Sequence, residues 1–546
     1  MQPRIVVRRA AVGLVAVAII ATSCASAPGG GPTVRSLGTR GLVAAAGEDG
    51  SRDVVVSPTG APTGTGTTAH PLDLSTALSA RSPAGPDGTL LLRGGVYRGT
   101  FVSNVHGVSG HPVVVRSYPG EWAVIDGGTR HAVVLAVRGH DTWVRDLEVR
   151  KSDPNRTSSQ AGDGPTDQSR GGIGGVWLQA PRTKLVNLVI HDAGDGVGFW
   201  NGAVDSEVYG CVIFNNGWLG ADRGWGHGMY VQNTTGVKTI ADTVLFDNFG
   251  FGIHVYNGQD DVRGVHIDGV TSFENGAPSG QRQPNVYAGS GQAAADDISL
   301  TNSSLYNRPG ASGYNAYFGY PTTSGKPLHP SGSLSIEANR IVGGFNALFV
   351  RDWQHVKTVK NDFALSSVRG GRLIADLRTT TGTGAVVRPT GYAWDSNRYS
   401  AADVRSFAFD GAPGGDGSRR LTFNEWRHAT GFDGASSDAP SGPAGAWIVV
   451  KPNRYERGRA FVTIFNWRRA KEAYVDLRTA GLRSGEPFVV RDVQHLDGPP
   501  VYAGTFDARP VVLRLDSSAF TPPIGTLPHS VSHTPIDFGA FLVAPG

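Results

Sequence analysis

Two short motifs concentrate the chemistry this sequence can do. Gly194-Asp195-Gly196 is followed one repeat later by Gly226-His227-Gly228. If the chain returns to the same place between them, a carboxylate and an imidazole become neighbours, and the carboxylate can orient the tautomer and raise the basicity of the ring. Tyr230 and His254 fall next on the same side of successive strands, so Asp195, His227, Tyr230 and His254 are the candidate catalytic residues. Asp222, Arg223 and Trp225 lie in the loop just before His227 and can supply an acid, a carboxylate clamp and a ring. Phe251 holds the position equivalent to Asp195 and His227 one repeat on, so a second reading stays open, in which that row turns inward as a satisfied buried pair.

These residues sit in a repeat. Gly175-Val176-Trp177-Leu178-Gln179, Gly196-Val197-Gly198-Phe199-Trp200-Asn201, Gly228-Met229-Tyr230-Val231-Gln232-Asn233 and Gly252-Ile253-His254-Val255-Tyr256-Asn257 align, and the series runs on through Asn285–Ser290, Asn315–Gly319 and Asn346–Val350. Val176 to Val197 is 21 residues and Met229 to Ile253 is 24. Such a period, with strands and no helical phase, predicts a parallel β-solenoid whose coils bury their inward side chains against one another. Strand alternation sends Val176, Val197, Met229 and Ile253 inward. It leaves outward rows of Trp177, Gly198, Tyr230, His254, Tyr287, Tyr317 and of Gln179, Trp200, Gln232, Tyr256. Aromatic faces with amides suit sugar rings, which are apolar on the face and hydroxylated at the edge. The same aromatics could instead be covered by long loops as a second, minor core. Three excursions (Lys151 to Gly172, Trp218 to Gly226, Ala277 to Pro284) leave one corner and are expected to wall this face into a groove. Asn201, Asn233 and Asn257 occupy equivalent corners and are expected to stack as an amide ladder, as are Asn216, Asn248 and Asn275.

The opening Thr89–Phe101 and Val113–Gly120 resemble the first coils of right-handed parallel β-helix proteins, the pectate-lyase-like superfamily of pectate, alginate and chondroitin lyases, polygalacturonases and alginate epimerases. Phe423-Asn424-Glu425-Trp426-Arg427 with Thr430-Gly431-Phe432-Asp433 resembles a closing element of such helices. The resemblance spans about residues 70–435 and implies the handedness. Gly226-His227-Gly228 after an Asp motif is similar to the polygalacturonase pattern. Gly196, however, stands where that family has a second aspartate, and Ile253-His254-Val255 where it has Arg-Ile-Lys, while an inverting hydrolase needs two carboxyl groups. Lyases of this fold use Lys or Arg as base, often beside calcium. The lysines here avoid the outward rows, so a lyase or epimerase would have to use His254, His227 or Tyr230. Asp247, Asp260, Asp261 and Glu274 offer oxygens for calcium without a specific loop signature, and no metal site is assigned.

The whole chain has 546 residues, only 18% of them charged, with a net charge of +4. That argues against disorder and against a nucleic-acid partner held by a dense positive field. Two cysteines exclude a disulfide scaffold and a cysteine-rich zinc site. Arg4, Arg8 and Arg9 precede an apolar run from Ala10 to Ala21 that ends at Cys24, which reads as an export signal. It resembles a bacterial lipoprotein signal with Cys24 as the acylated residue, although Ala21 departs from that pattern and ordinary cleavage nearby is the alternative. Cys211 is expected to be a small buried hydrophobe. The expected organisation is a signal over 1–24, a flexible tether over 25–69, an all-β solenoid over 70–435, a linker over 436–445 and an antiparallel β-sandwich over 446–546. The expected protein is an exported monomer, held to the cell envelope by lipid on Cys24 or secreted without it. Its partner is a polysaccharide, acted on as a lyase, hydrolase or epimerase substrate, or merely bound by an adhesive, non-catalytic β-helix.

Overall fold

The computed structural model describes residues 53–167, 174–281, 283–291, 293–320, 330–365, 372–379, 389–400, 405–411, 419–439, 442–527 and 529–546. Cys24 and the export segment lie outside the described residues. Three sheets of twelve strands each run the length of a right-handed parallel β-helix. One coil shows the plan. Val176–Leu178 lies in the first sheet, Lys184–Val186 in the second and Val189–His191 in the third, before the chain returns to the first at Val197. Val176 pairs with Val197, Val197 with Met229 and Met229 with Ile253, all parallel. Further on, Ala316 pairs with Leu348 rather than with Ala347, one residue off the aligned repeat.

The inward rows form one continuous core through the coils. Corners turn through left-handed backbone at Asp192, Asn215, Asp247 and Glu274, with φ of 56°, 56°, 50° and 56°. Asp and Asn tolerate this conformation best among residues with a Cβ, which is why the corners read Asp/Asn-rich. The residues after the last three stack inside, and Asn285 and Asn315 continue the column: Asn216 Nδ2 donates to Asn248 Oδ1 (3.0 Å), Asn248 to Asn275 (2.9 Å), Asn275 to Asn285 (2.8 Å) and Asn285 to Asn315 (2.8 Å). The ladder is therefore at this corner. Asn233 instead donates to the Gly236 and Arg263 carbonyls, and Asn257 caps its own turn by accepting from Gln259 and Asp260. Cys211 is buried, as its apolar run implies.

Both ends of the solenoid differ from expectation. The strand Asp53–Ala61 pairs with Thr89–Leu92 and buries Val54 and Val56, so the helix begins within the stretch expected to be a tether. Ser437–Asp438 pairs with Arg398 and Tyr399, extending the last coil into the expected linker. The helix Phe423–Thr430, with a Thr422/Glu425 capping box and left-handed Gly431 after it, closes the core with fully buried Trp426, whose indole donates to Asp433 (2.8 Å).

The C-terminal domain is a five-stranded antiparallel sheet with a two-stranded sheet, Glu472–Val475 and Val511–Arg514, packed over one face. Its other face lies on the third sheet of the helix. There Phe214, Phe246 and Phe273 stack 5.0 Å apart, and Phe538 reaches both Phe273 (5.0 Å) and Tyr306 (4.3 Å). The aromatic ladder has no inward role; it is the docking surface for this domain.

Candidate active site

The first sheet carries the site on its outer face. Asp195, His227 and Phe251 precede the equivalent glycines Gly196, Gly228 and Gly252 on successive coils. Phe251 packs on His227 (5.0 Å) and on His254 (4.4 Å), outside the main core. The row thus lies outside the main core, although His227 is itself buried. What joins Asp195 to His227 is a backbone bond: the His227 N–H donates to Asp195 Oδ1 at 2.9 Å. The Asp195 carboxylate therefore does not orient the His227 imidazole, contrary to expectation. Burial, aided by nearby Asp163, raises the Asp195 carboxyl to about 6 despite that bond. Such a group is poised for proton transfer near neutrality.

The His227 ring is oriented instead by the next coil. The Phe251 backbone N–H donates to His227 Nδ1 (3.0 Å), and His227 Nε2 lies 3.1 Å from His254 Nδ1. Burial, with His254 and Arg223 alongside, holds His227 well below the ordinary imidazole range; burial and Arg223 push His254 down to about 3. Both rings are neutral at physiological pH. Tyr230 stands edge-on to His254 (5.2 Å), its hydroxyl raised to about 12 by burial.

Trp218–Leu219 and Gly224–Trp225 form a hairpin beside this cluster, and the excursion from Lys151 bonds to it through Arg156, Ser158 and Gln160. Arg156 anchors that wall from a fully buried position, with Asp192 (2.5 Å) and the carbonyls of Asn215 and Gly217. Arg223, on the hairpin, stacks on Trp225 with its guanidinium carbon 3.6 Å from the ring centre. Among the described residues no carboxylate forms an ion pair with it, and burial lowers its pKa while Asp222 and Asp163 oppose that from a distance. Asp222 is exposed and accepts from the Trp225 indole (2.8 Å).

Trp177 and Trp200 cross edge-to-face at 5.4 Å, and Trp200 leans on Tyr230 at 5.5 Å. Gly198 makes room for both: a Cβ there would lie 2.6 Å from Trp177 and 2.7 Å from Trp200. Neither indole N–H has a partner among the described residues, though both atoms are out of bulk water. Gln179 accepts from Arg138 (3.1 Å), Gln232 is half-buried beside Tyr230, and Tyr256 stacks on His254 (5.1 Å). Tyr287 and Tyr317 do not serve as platforms. They are buried and stacked in a ladder with Phe349, flanked by Tyr314, Phe251 and Tyr256. Past His254, then, the outward aromatics are a second core; Trp177, Trp200, Tyr230 and Tyr256 are half-exposed, and His227 and His254 lie buried just behind them.

Asp247 and Glu274 face the C-terminal domain side, Asp247 accepting from Gln494 and Glu274 bound to Arg308, so they are not groove ligands. Among the described residues no group of three or more His, Cys, Asp or Glu is placed to hold a metal ion. Two contributors were not visible in the sequence. Asp163 lies in the excursion, which has no period to place it, and the Phe251 contribution is a backbone N–H.

No protein-family model and no curated protein matches the sequence. Among solved structures, a pectate lyase, Pel9A, aligns over 63% of this chain and 79% of its own at 16% identity and TM-score 0.41. A rhamnogalacturonan lyase aligns over 64% and 87% at 15% identity and TM-score 0.45. A tailspike protein, Dettilon, aligns over 90% and 94% at 11% identity and TM-score 0.38. At these identities and TM-scores the matches carry no statement about activity or family; the parallel β-helix is read from this chain's own three sheets.

Proposed function

We propose that this protein is a polysaccharide lyase acting on an acidic polysaccharide laid along the first sheet between Trp177 and Tyr256. The observation that carries this reading is Arg223: a half-buried guanidinium without an ion-pair partner among the described residues, stacked on Trp225 and facing two neutral imidazoles. A buried charge of this kind calls for a fixed counter-charge, and the carboxylate of a uronate sugar supplies one bidentately. With that carboxylate neutralised, the proton on the adjacent carbon becomes acidic. Asp195, ionised above about pH 6, takes that proton. Electrons form the C4–C5 double bond, and the glycosidic oxygen leaves with a proton from the Tyr230 hydroxyl. Trp177 and Trp200 offer faces to neighbouring sugars. In the cell we place the protein in the envelope, held by lipid on Cys24.

A second reading rests on Asp163, near enough to raise Asp195: two carboxyl groups would make a hydrolase. One experiment separates the readings. Polygalacturonate, alginate and chondroitin sulfate are incubated with the full chain, and product is followed both at 235 nm and as reducing ends. Unsaturated product lost in Arg223→Ala supports the lyase; reducing ends without 235-nm absorbance support the hydrolase; binding without either product leaves an adhesive groove.

A further inference from the structure

The hydrogen-bond chain behind the groove fixes more than the position of His254. A backbone N–H can only donate, so the Phe251 amide at 3.0 Å obliges His227 Nδ1 to present a lone pair. A neutral His227 then carries its proton on Nε2, which lies 3.1 Å from His254 Nδ1. Two N–H groups cannot face one another there, so His254 Nδ1 must accept, and its single proton is on Nε2. Protonating His254 at Nδ1 would break the chain. Shifting its proton to Nδ1 would require His227 to lose its own. The His254 ring cannot turn to escape, because Phe251 (4.4 Å), Tyr256 (5.1 Å), Tyr287 (5.0 Å) and Tyr230 (5.2 Å) pack around it. Of the charged groups nearby, Arg223 acts on both imidazoles and disfavours a cation on either, while the Asp195 carboxylate is engaged with the His227 backbone N–H rather than with its ring.

We infer that His227 is a positioning residue that locks His254 as a neutral Nε2–H donor, so that His254 is an electrophilic hydrogen-bond donor to the substrate and neither its acid nor its base. Nε2 has no protein partner among the described residues. A fixed neutral donor aimed at an oxygen that gains charge stabilises the transition state without transferring its proton. The role rests on the groove being the active site; the tautomer does not. Proton transfer is left to Asp195 and Tyr230, and the sequence-based expectation of an acid–base His227 or His254 is replaced.

The test has two arms on the full chain. Nitrogen-15 NMR of histidine-labelled protein, assigned with His227→Gln and His254→Gln, reads the tautomers directly. Neutral Nε2–H signals for both rings, unchanged from pH 5 to 8, are expected. A His254 signal that is Nδ1–H, or that titrates in that range, overturns the inference whatever the protein cleaves. In the second arm, activity is measured on the polysaccharide of the panel that the wild type cleaves. His254→Gln, whose amide can place a donor near Nε2, should keep the rate within about tenfold. His254→Ala should lose about 10²- to 10³-fold in kcat, the scale of a lost oxyanion-type donor. Equal loss in Gln and Ala overturns the donor role. Cleavage of none of the three polysaccharides, with the tautomers as expected, overturns the lyase reading and that role with it, and leaves the lock standing.

Discussion

Asp195 and His227 are neighbours on successive coils, yet the carboxylate is held by the backbone of His227 and not by its ring (2.9 Å from Oδ1 to N). The distinction bears on the proton chemistry proposed for the site. A carboxylate bound to an imidazolium would be driven below its usual range, whereas burial here raises Asp195 to about 6.

Activity should therefore rise as pH increases through about 6, as Asp195 ionises to act as base. Asp195→Asn should lower the rate by about 10²-fold or more. Stability moves oppositely: a carboxyl whose folded pKa is raised contributes stability below about pH 4 that is lost as pH rises through 6. Asp195→Asn should hence melt no lower than wild type at pH 7.5. An inactive variant that also melts well below wild type would point to a structural role.

His191 makes the opposite electrostatic case. Burial pulls its pKa down, but Asp192 (2.7 Å) and Glu148 (3.2 Å) outweigh burial and bring it to about 9. Its folded pKa is raised, so its stabilisation is complete below about pH 6.5 and fades as pH climbs through 9. Thermal melts from pH 6.5 to 9.5 should fall for wild type and fall less for His191→Gln. Parallel curves would show that the ring is neutral.

Asn248 is an interior rung of the amide ladder, accepting from Asn216 and donating to Asn275. Asn248→Leu removes the acceptor of the buried Asn216 backbone N–H and of one Asn216 amide N–H, and one donor to Asn275 Oδ1, at about 1–3 kcal/mol for each buried group left unpaired. Urea unfolding should show that loss, and a much smaller one for Asn201→Ala, whose side-chain oxygen has no partner to lose.

The contrast between these two asparagines shows what could be read in advance. Coil period and inward rows are written in the alternation of Val176, Val197, Met229 and Ile253, because burial against neighbouring coils leaves no other choice. Equivalent spacing does not say which corner turns its amide inward; the left-handed residue just before Asn216 and Asn248 decides that. Tyr287 and Tyr317 looked like Tyr230 in sequence, and only the covering rings of Tyr314 and Phe251 separate them. The His254 tautomer was illegible because a main-chain N–H, carried by every residue but proline, sets it.

Cys24→Ser should move the protein from the membrane to the soluble fraction, since one missing thiol removes the acylation point. Wild-type protein that is already soluble and begins beyond Cys24 would refute the anchor.

The final expectation concerns the C-terminal domain, which the sequence sets apart behind a linker over 436–445. The structure buries Phe214, Phe246, Phe273 and Tyr306 of the helix beneath Phe465, Phe538 and Leu542 of that domain. Thr271 and Thr463 share a hydrogen bond (2.8 Å) within the contact, and Tyr455 with Arg454 binds Glu207 beside it. The segment between Val511–Arg514 and Phe538–Pro545 also reaches the excursion from Lys151, because the Ile524 N–H donates to Asp192 (2.8 Å), the same carboxylate that holds Arg156. A chain ending at Asp438 would expose a contiguous aromatic stripe, which marks an aggregation liability rather than a free surface. It would also release one support of the excursion carrying Asp163. Phe538→Ala tests the contact without deletion: it removes a buried ring at the centre of the stack and should cost about 3–5 kcal/mol. Because the helix and this domain form one compact unit, the variant should still unfold in a single transition at lower temperature. Two separated transitions, with the helix melting where wild type does, would show that the sandwich is an accessory after all.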